Sequence, residues 1–225
     1  MSDPAFEKSP LNTVKRLPKR GFYDKETIHG ILDSHFVCHL SWEQDGQPHT
    51  IPTAFGRHGD TIYVHGSSKS RMLESLSDGR PLCLVVTHID GLVLARSAFN
   101  HSMNYRSAVI YGTACEIHGE EKMEALRIVS DQIIPGRWDE VRLPNELEMK
   151  ATTVLAITIE SASAKIRTGP PKDDEADYNL PIWAGLLPAA LTFHEPAPDP
   201  AMVEPLPLPK STFTRFNRKN QDEQQ

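Results

Sequence analysis

The chain has 225 residues, with 24 Lys and Arg against 30 Asp and Glu and a net charge of −6. This size fits one large domain with tails or two small domains, and it allows a hydrophobic core without disulfides or structural metals. The acidic balance lacks the basic face typical of proteins that bind nucleic acids or membrane surfaces. No apolar run has the length of a membrane span, and Met1–Pro10 has no signal-peptide core. We therefore expect neither nucleic acid nor membrane among the partners.

The three cysteines, Cys38, Cys83 and Cys115, are far apart and form no C-x-x-C pair. An odd, sparse set argues against a disulfide framework and suits a reducing compartment. Each lies in an apolar run, which predicts a small buried side chain. The expected location is the cytoplasm.

Proline-rich polar segments flank the body of the chain. Residues 1–21 are predicted to be a polar lead-in, and residues 195–225 a Pro-rich polar tail. Alternating prolines from Pro196 to Pro209 prevent ladder hydrogen bonds and favour extended polyproline geometry, so the tail is expected to be a linker or to lie along the surface. The folded domain is predicted to span residues 22–194.

Three helices are predicted in chain order. Asp24 is placed to cap a helix with one apolar stripe, formed by Ile28, Ile31 and Leu32. Ser70 is placed to cap a short second helix. The third spans Glu120–Ile134, ends at Pro135–Gly136 and is expected to bury one face. That face consists of Met123, Leu126, Val129 and Ile133.

A two-residue period predicts about seven strands. They cover Phe36–Trp42, His49–Phe55, Thr61–His65, Leu82–His88, Leu92–Arg96, Ser107–Ile117 and Thr153–Ile159. The pairs Asp45–Gly46 and Asp90–Gly91 are typical of hairpin turns, which join antiparallel strands. We therefore predict a mainly β fold, a six- to seven-stranded antiparallel barrel with peripheral helices.

The familiar nucleotide and metal signatures are absent from the sequence. There is no G-x-G-x-x-G for a Rossmann site, no G-x-S-x-G and no H-E-x-x-H. The stretch Gly66–Ser70 lacks the glycine that precedes the lysine of a P-loop. The ten histidines do not fall into ligand spacings on one helix, so no metal site is predicted.

A first cluster of polar side chains lies where a strand leads into a helix. It reads His65-Gly66-Ser67-Ser68-Lys69-Ser70-Arg71. Free N–H groups at a helix start favour an anion, the serines add donors, and the Arg71 guanidinium matches phosphate oxygens. The alternative is that Ser70 only caps the helix and Arg71 is solvated.

A second cluster, Ser97–Ser107, joins two strands and contains nearly every type of hydrogen-bond donor. Arg106, flanked by Tyr105 and Ser107, is typical of a second clamp on an anion that carries an aromatic ring. The alternative is a hydrogen-bonded loop with a surface arginine. His101, in the same loop, is a candidate proton donor because imidazole titrates near neutral pH. The alternative for His101 is a hydrogen bond to the loop backbone.

These segments resemble the pyridoxamine 5′-phosphate oxidase-like family of FMN-binding split barrels, in its flavin-nucleotide-binding, 5-nitroimidazole-reductase-like branch. The resemblance runs from about Val14 to His194. It is carried by Tyr63–Ser67 with Ser70–Arg71, Thr87–Ser97, His101–Ser107, Pro135–Trp138, Lys165–Pro171 and Trp183–Gly185.

The resemblance implies a homodimer with one FMN in each of two clefts between the subunits. It assigns the FMN phosphate to Ser70 and Arg71, with Arg106 and Ser107 as a second phosphate-facing pair. The other cofactor-binding positions that it implies are Pro52, Thr53, His65, Gly66, Ser67, Thr87, Ser102, Asn104 and Tyr105. Trp183 is expected to cover the ring from the partner chain.

The chain departs from the pyridoxamine phosphate oxidases at two points. Met72 stands where they carry a lysine after the Ser-Arg pair, and their C-terminal Arg–Trp signature is not recognisable. Vitamin B6 oxidation is therefore the less favoured activity. The expected function is an FMN-dependent oxidoreductase that takes electrons from NAD(P)H and reduces a nitroaromatic, a quinone or oxygen. The alternative is a non-catalytic flavin- or haem-binding carrier or sensor.

Overall fold

The structure is a computed structural model that describes residues 4–216. Residues 1–3 of the predicted lead-in and 217–225 of the predicted tail lie outside the described residues. Eight strands belong to one sheet: β1 Gly21–Phe22, β2 Val37–Gln44, β3 Gln47–His58, β4 Thr61–Ser67, β5 Leu82–Leu94, β6 Ser102–Glu116, β7 Thr152–Arg167 and β8 Gly185–Pro188.

The pairing of these strands confirms the mainly β, antiparallel split-barrel fold. From β7, hydrogen-bonded neighbours run through β4, β3, β2, β5 and β6, and β6 pairs again with β7. Six strands thus form a ring of pairings, and the two short strands bring the sheet to eight: β1 pairs with β7, and β8 with β5. These short strands lack the alternating pattern that predicted the other six.

Five α-helices accompany the sheet within the described residues. They are α1 Lys25–Asp33, α2 Arg71–Leu76, α3 Gly119–Ile133, α4 Glu146–Ala151 and α5 Lys210–Phe216. The Asp24 cap of α1 is confirmed, because its carboxylate accepts a hydrogen bond of 2.8 Å from the Thr27 N–H. The predicted apolar stripe of α1 is fully buried. Among these residues no helix is long and apolar enough to cross a membrane.

The chain divides into two compact units. The first contains the chain up to Pro52, Pro81–Thr113 and Ile159–Ala190. The second contains Thr53–Arg80, Ala114–Thr158 and the chain from Leu191. The core of the first includes Ile28, Leu32, Cys38, Leu40, Leu84, Val86 and Ile110. The core of the second includes Phe55, Ile62, Val64, Leu73, Leu76, Leu155 and Ile157.

In the first unit, the predicted hairpin at Asp90–Gly91 is wrong. Strand β5 runs unbroken through these residues and pairs with β6 on both sides of a register shift between Ile89 and Gly91. A β-bulge thus occupies the place of the expected turn. The glycine is needed for another reason: a Cβ at Gly91 would lie 2.8 Å from the carbonyl oxygen of Leu187 on β8.

In the second unit, the buried stripe of α3 differs from the predicted one. Lys122, Ala125 and Val129 are buried, whereas Met123, Leu126 and Ile133 are only half-buried. Lys122 can enter the interior because its ammonium group donates hydrogen bonds to the carbonyl oxygens of Met149, at 2.8 Å, and Thr152. These carbonyls lie at the end of α4, where a cation is favourable.

The tail contains a helix that the proline pattern did not predict. The side chain and N–H of Ser211, which is 2% exposed, bond to the Glu140 carboxylate. The Arg215 guanidinium bonds to backbone carbonyls at the end of α3, those of Gln132 and Ile133. Helix α5 at the end of the described tail therefore contacts the second unit.

The cysteines differ from one another in environment. All three are free thiols; Cys38 is buried, Cys83 half-buried and Cys115 exposed. Burial raises the pKa of the Cys38 thiol to about 12. The prediction of a buried side chain is thus right for Cys38 and wrong for Cys115, which stands near the end of β6.

Candidate functional site

In the second unit, the predicted residues 65–71 form one continuous turn from β4 into α2, here called the β4–α2 turn. The Ser68 N–H bonds to the Ala151 carbonyl at 2.9 Å, and the Ser70 N–H bonds to the Ser67 carbonyl at 2.8 Å. The Ser67 hydroxyl accepts from the Lys69 N–H at 3.2 Å. These bonds fix the turn through its backbone, which leaves other side chains of the segment unused.

Ser70 and Arg71 are among the side chains of the turn that make no such bond. Ser70 precedes α2, but its hydroxyl makes no capping hydrogen bond. The Arg71 side chain is exposed, and within residues 4–216 its guanidinium has no hydrogen-bond or ion-pair partner. A hydroxyl and a guanidinium at neighbouring positions are suited to the oxygens of a phosphate group.

His65, at the start of this turn, carries an unsatisfied buried atom. Its Nδ1 is shielded from solvent and has no hydrogen-bond partner among the described residues. Burial lowers the pKa of the imidazole, so the ring is neutral at physiological pH. Such an orphaned polar atom is costly unless a bound group satisfies it. Gly66 follows it at the end of β4.

Pro52 and Thr53 are neighbours on β3 but belong to different units. Pro52 is exposed, and the Thr53 side chain is half-buried.

In the first unit, the predicted residues Ser102–Ser107 lie on β6, not in a loop. Thr87 is opposite Ser107, Ile89 is opposite Tyr105, and Gly91 is opposite Asn104. We call Thr87, Asn104, Tyr105, Arg106 and Ser107 the ladder group. The loop between β5 and β6 is only residues 95–101, because β6 begins at Ser102 and includes these polar residues.

Arg106 of the ladder group already forms an ion pair with Asp90. Its Nη2 lies 2.9 Å from Oδ1 of Asp90, and its Nε lies 3.1 Å from Oδ2. Asp90 is the residue that the bulge leaves without an opposite partner. The bidentate ion pair neutralises the charge that the sequence assigned to a phosphate. The side chains remain 39% and 32% exposed, so a ligand can still reach both.

Two further members of the ladder group also bond to the protein. The Ser107 hydroxyl donates to the Lys165 carbonyl at 3.3 Å. Asn104, 8% exposed, donates to the Gly169 carbonyl at 3.2 Å and accepts from the guanidinium of Arg167. The amide of Asn104 therefore holds Arg167 and the chain that follows β7.

His101 makes the backbone contact that the sequence left as its alternative. Its Nδ1 accepts a hydrogen bond of 3.1 Å from the Ala95 N–H. The neutral ring therefore carries its proton on Nε2, and the side chain is exposed. A proton donor role is open to Nε2 only.

The other predicted residues of this unit are exposed to differing degrees. Ser102 is exposed and Tyr105 is half-buried. Trp183 is 69% exposed, and its ring lies over Gly185, where a Cβ would come within 2.9 Å of it. The structure thus brings together the residues of the β4–α2 turn in one unit and the ladder group in the other.

Sequence reasoning missed Asp90 and His88. Asp90 was interpreted as a turn residue, although an acidic side chain next to a predicted cationic site is a signal for an ion pair. His88, opposite Arg106, lies with its Nε2 3.0 Å from the Ile31 carbonyl and 3.2 Å from the Ser34 hydroxyl. No local pattern links His88 to α1.

Residues 24–166 match the family model described as pyridoxamine 5′-phosphate oxidase. The match covers more than half of the chain, and together with the split barrel it defines the class of protein. The chain belongs to this family. None of the curated proteins compared with the chain matches it.

Two solved structures are similar along nearly the whole chain. The flavocytochrome Anf3 from Azotobacter vinelandii is 41% identical with a TM-score of 0.85, over 92% of this chain and 97% of its own. An FAD- and haem-binding protein from Mycobacterium smegmatis is 34% identical with a TM-score of 0.84, over 88% of this chain and 97% of its own.

A third structure shows the same fold at lower similarity. It is a protein described in connection with 5-nitroimidazole antibiotic resistance, from Bacteroides thetaiotaomicron. It is 22% identical with a TM-score of 0.52, over 65% of this chain and 86% of its own. The family that the sequence motifs indicated is confirmed by the family model, and this third structure shares the fold.

Proposed function

We propose that this chain is a flavin-binding redox protein whose β4–α2 turn binds the phosphate end of FMN or FAD. The observation that carries the proposal is the unsatisfied buried Nδ1 of His65 beside a hydroxyl and a guanidinium that the protein leaves unused. A fold rarely leaves buried polar atoms unpaired unless a ligand completes them. The similarity to a flavocytochrome and to an FAD- and haem-binding protein supports a flavin in particular.

In this proposal the protein's own groups bind and orient. Arg71 neutralises phosphate charge, the Ser70 hydroxyl donates to a phosphate oxygen, and His65 offers a neutral imidazole to the flavin. A bound flavin supplies the hydride and electron chemistry of its ring. We propose NAD(P)H as the electron donor and a small nitroaromatic, quinone or oxygen as the acceptor, with His101 Nε2 as the candidate proton donor.

Pyridoxamine 5′-phosphate oxidation is not the activity that we propose. Met72, at the position of the lysine in those oxidases, is only 4% exposed and packs in the core of its unit. This position therefore offers no cation to a phosphorylated substrate.

Haem is a second candidate cofactor. One relative is described as a flavocytochrome and another as an FAD- and haem-binding protein, and the alignments with them cover 92% and 88% of this chain. The chain has ten histidines, and buried neutral imidazoles such as that of His65 are the form that ligates iron. Within residues 4–216 no cluster of three or more metal-ligating side chains exists, so a haem would depend on one or two histidines.

We also propose a homodimer, for which an apolar row on the first unit offers support. Leu92 is opposite Met103 on one side and Leu187 on the other, so the three side chains share one face of three adjacent strands. They are 45%, 45% and 56% exposed. A second copy of the chain would cover this row, as the family resemblance implies. The free thiols are compatible with the cytoplasm as the proposed location.

The absorbance spectrum of the purified protein between about 300 and 500 nm tests the cofactor directly. Twin flavin bands support the proposal, an additional Soret peak supports the haem candidate, and a spectrum without either contradicts both. Steady-state oxidation of NADH and NADPH by the flavin-loaded protein then tests the enzyme. If neither nicotinamide reduces the bound flavin, the carrier or sensor function replaces the oxidoreductase.

A further inference from the structure

The segment that precedes β1 carries an unusual density of positive charge. Residues 14–21, here called the basic loop, read Val-Lys-Arg-Leu-Pro-Lys-Arg-Gly. They include four cations and no acidic residue in a chain with a net charge of −6. Within residues 4–216, none of the four side chains, Lys15, Arg16, Lys19 and Arg20, has an ion-pair partner.

The basic loop is a built structure within the first unit. The hydroxyl of Tyr23 accepts a hydrogen bond of 2.9 Å from the Val14 N–H. A Cβ at Gly21 would lie 2.9 Å from the Cβ of Val14, so the two ends of the loop meet at a position that only glycine allows. Leu17, a non-glycine residue, has a φ of 57°. Backbone strain of this kind is typical of segments shaped for binding.

The lead-in before the loop is anchored as well. Asn12, 2% exposed, donates through its Nδ2 to the Ala162 carbonyl on β7 at 3.1 Å and to the Glu7 carbonyl at 2.8 Å. After the loop, β1 pairs with β7 in the register Gly21 to Lys165. The basic loop is therefore held against β7 at both ends, beside the last residues of that strand.

Arg167, the last residue of β7, is a buried cation without a counter-ion. It is 7% exposed, and its guanidinium donates only to uncharged acceptors: Asn104 Oδ1, the Gly169 carbonyl at 3.4 Å and the Pro170 carbonyl at 3.5 Å. Burial first, and then the positive charge of Arg20, lower the pKa of the guanidinium. A buried charge with a like charge nearby is unfavourable until an anion compensates it.

We propose that the basic loop and Arg167 form a binding site for the pyrophosphate of a dinucleotide. The inference rests on the proposed function, since the dinucleotide would be the nicotinamide dinucleotide that reduces the flavin, whose own phosphate end is assigned to the β4–α2 turn. Five cations suit a pyrophosphate better than a single phosphate ester, because a diphosphate bridge adds charge and oxygen acceptors. Asn104, which holds Arg167, is then a positioning residue for this site.

The site would lie along the same strand as the ladder group. Asn104, which contacts Arg167, is two residues from Arg106 on β6 and therefore on the same face of the strand. A dinucleotide bound at the basic loop can thus extend along β6 past Arg106. This placement gives Arg167 a role within the first unit.

The test compares two double variants that each lose two positive charges. The loop variant is Arg16→Gln/Arg20→Gln, and the control variant is Lys150→Gln/Lys172→Gln. Lys150 and Lys172 are exposed lysines outside the loop. Dissociation constants for riboflavin, FMN and FAD are measured by flavin fluorescence, and that for NADP⁺ by calorimetry. We expect the loop variant to weaken NADP⁺ by about 10- to 50-fold, and FAD, FMN and riboflavin by less than about threefold.

Selective loss of NADP⁺ supports the inference. It is overturned if NADP⁺ retains wild-type affinity, if the control loses as much as the loop variant, or if FAD or FMN is weakened as strongly as NADP⁺. Fold integrity is checked from the Tm of each variant, and Lys19→Gln, at an exposed position, is the second variant if the first unfolds.

Inorganic pyrophosphate separates this inference from the proposed function. If no flavin binds to the chain, the proposed function fails on its own. A pyrophosphate-dependent rise in the Tm of the wild type, absent from Arg16→Gln/Arg20→Gln, still supports the anion site. No rise in a wild type that also binds no dinucleotide contradicts it.

Discussion

The β4–α2 turn and the ladder group differ in how far their polar side chains are already used by the protein. In the turn, the Ser70 hydroxyl, the Arg71 guanidinium and His65 Nδ1 have no partner within residues 4–216. In the ladder group, Arg106 bonds to Asp90 and Ser107 bonds to a backbone carbonyl. In each group a serine next to an arginine was predicted to contact a phosphate: Ser70 and Arg71 in the turn, and Arg106 and Ser107 in the ladder group.

This difference indicates how each group can take part in binding. A ligand at the turn gains hydrogen bonds without breaking any, whereas a phosphate at Arg106 competes with the Asp90 carboxylate. Ligand binding at the turn should therefore give a net gain in binding free energy. Binding at the ladder group should give only the difference between two similar interactions. Substitutions in the two groups should separate into effects on cofactor affinity and effects on stability.

The largest expected effect is on cofactor affinity in Arg71→Ala. Loss of a charge-assisted pair with a phosphate is worth about 1.5–3 kcal/mol, so the Kd for the flavin nucleotide should rise about 10- to 100-fold. The Tm should not change, because Arg71 is exposed and unpaired within the described chain. Flavin fluorescence titration and a thermal melt measure the two quantities.

Lys69→Ala is the matched control for this prediction, since it removes one charge from the same turn without removing a planar fork. An equal loss of affinity in Lys69→Ala would show that the turn acts only through its net charge.

Asn104→Ala should act mainly on stability. It removes the amide that accepts from the buried Arg167, and an unsatisfied buried charge of this kind costs about 1–3 kcal/mol. Chemical denaturation measures the change in free energy of unfolding. Ser102→Ala, at an exposed position on the same strand, serves as the control and should be close to neutral. Wild-type stability in Asn104→Ala would mean that Arg167 finds other acceptors.

The Arg106–Asp90 pair predicts effects of opposite sign. Both side chains are about one-third exposed, so breaking the pair should cost at most about 1 kcal/mol of stability. If Arg106 binds the cofactor phosphate, Asp90→Asn frees its guanidinium and should tighten flavin binding, whereas Arg106→Gln should weaken it. Titration of both variants settles the role of Arg106. Unchanged affinity in both would assign the pair to the bulge of β5 alone.

Local sequence patterns correctly predicted the elements that depend on interactions between residues close in sequence. The Asp24 cap and the apolar stripe of α1 need only a turn of helix, and both are present. The turn at residues 65–71 follows from a strand pattern that changes into a helical one. The hairpin at Asp90–Gly91 was wrong because the same dipeptide fits a turn and a bulge, and only the pairing of β5 with β8 and β6 distinguishes them.

Partners distant in sequence limited what could be predicted about the site. Arg167 and Asn104 are 63 residues apart, and no spacing rule brings them together. Lys122 was not part of the buried face predicted for α3, and lysines are rarely buried, yet the carbonyls at the end of α4 accept hydrogen bonds from its ammonium group. The residue types of a binding site were visible in the sequence, but the bonds that already occupy them depend on the register of the sheet.

The smallest expected effect concerns two histidines, His65 in the turn and His88 beside the ladder group. Burial is the largest cause of the lowered pKa of both; His88 also faces His35, Arg106 and Asp90. As the pH falls below the ordinary value of about 6.5, the unfolded chain binds protons that the native state does not, so stability decreases. The Tm should therefore fall between about pH 7.5 and 5.5.

His65→Asn and His88→Asn should each flatten this dependence in the protein without cofactor. Loading the flavin should alter the His65 contribution alone, because the buried Nδ1 of His65 is unpaired among the described residues and His65 belongs to the β4–α2 turn. An equal change for His88, whose Nε2 already contacts the Ile31 carbonyl, would contradict the contrast between the two groups.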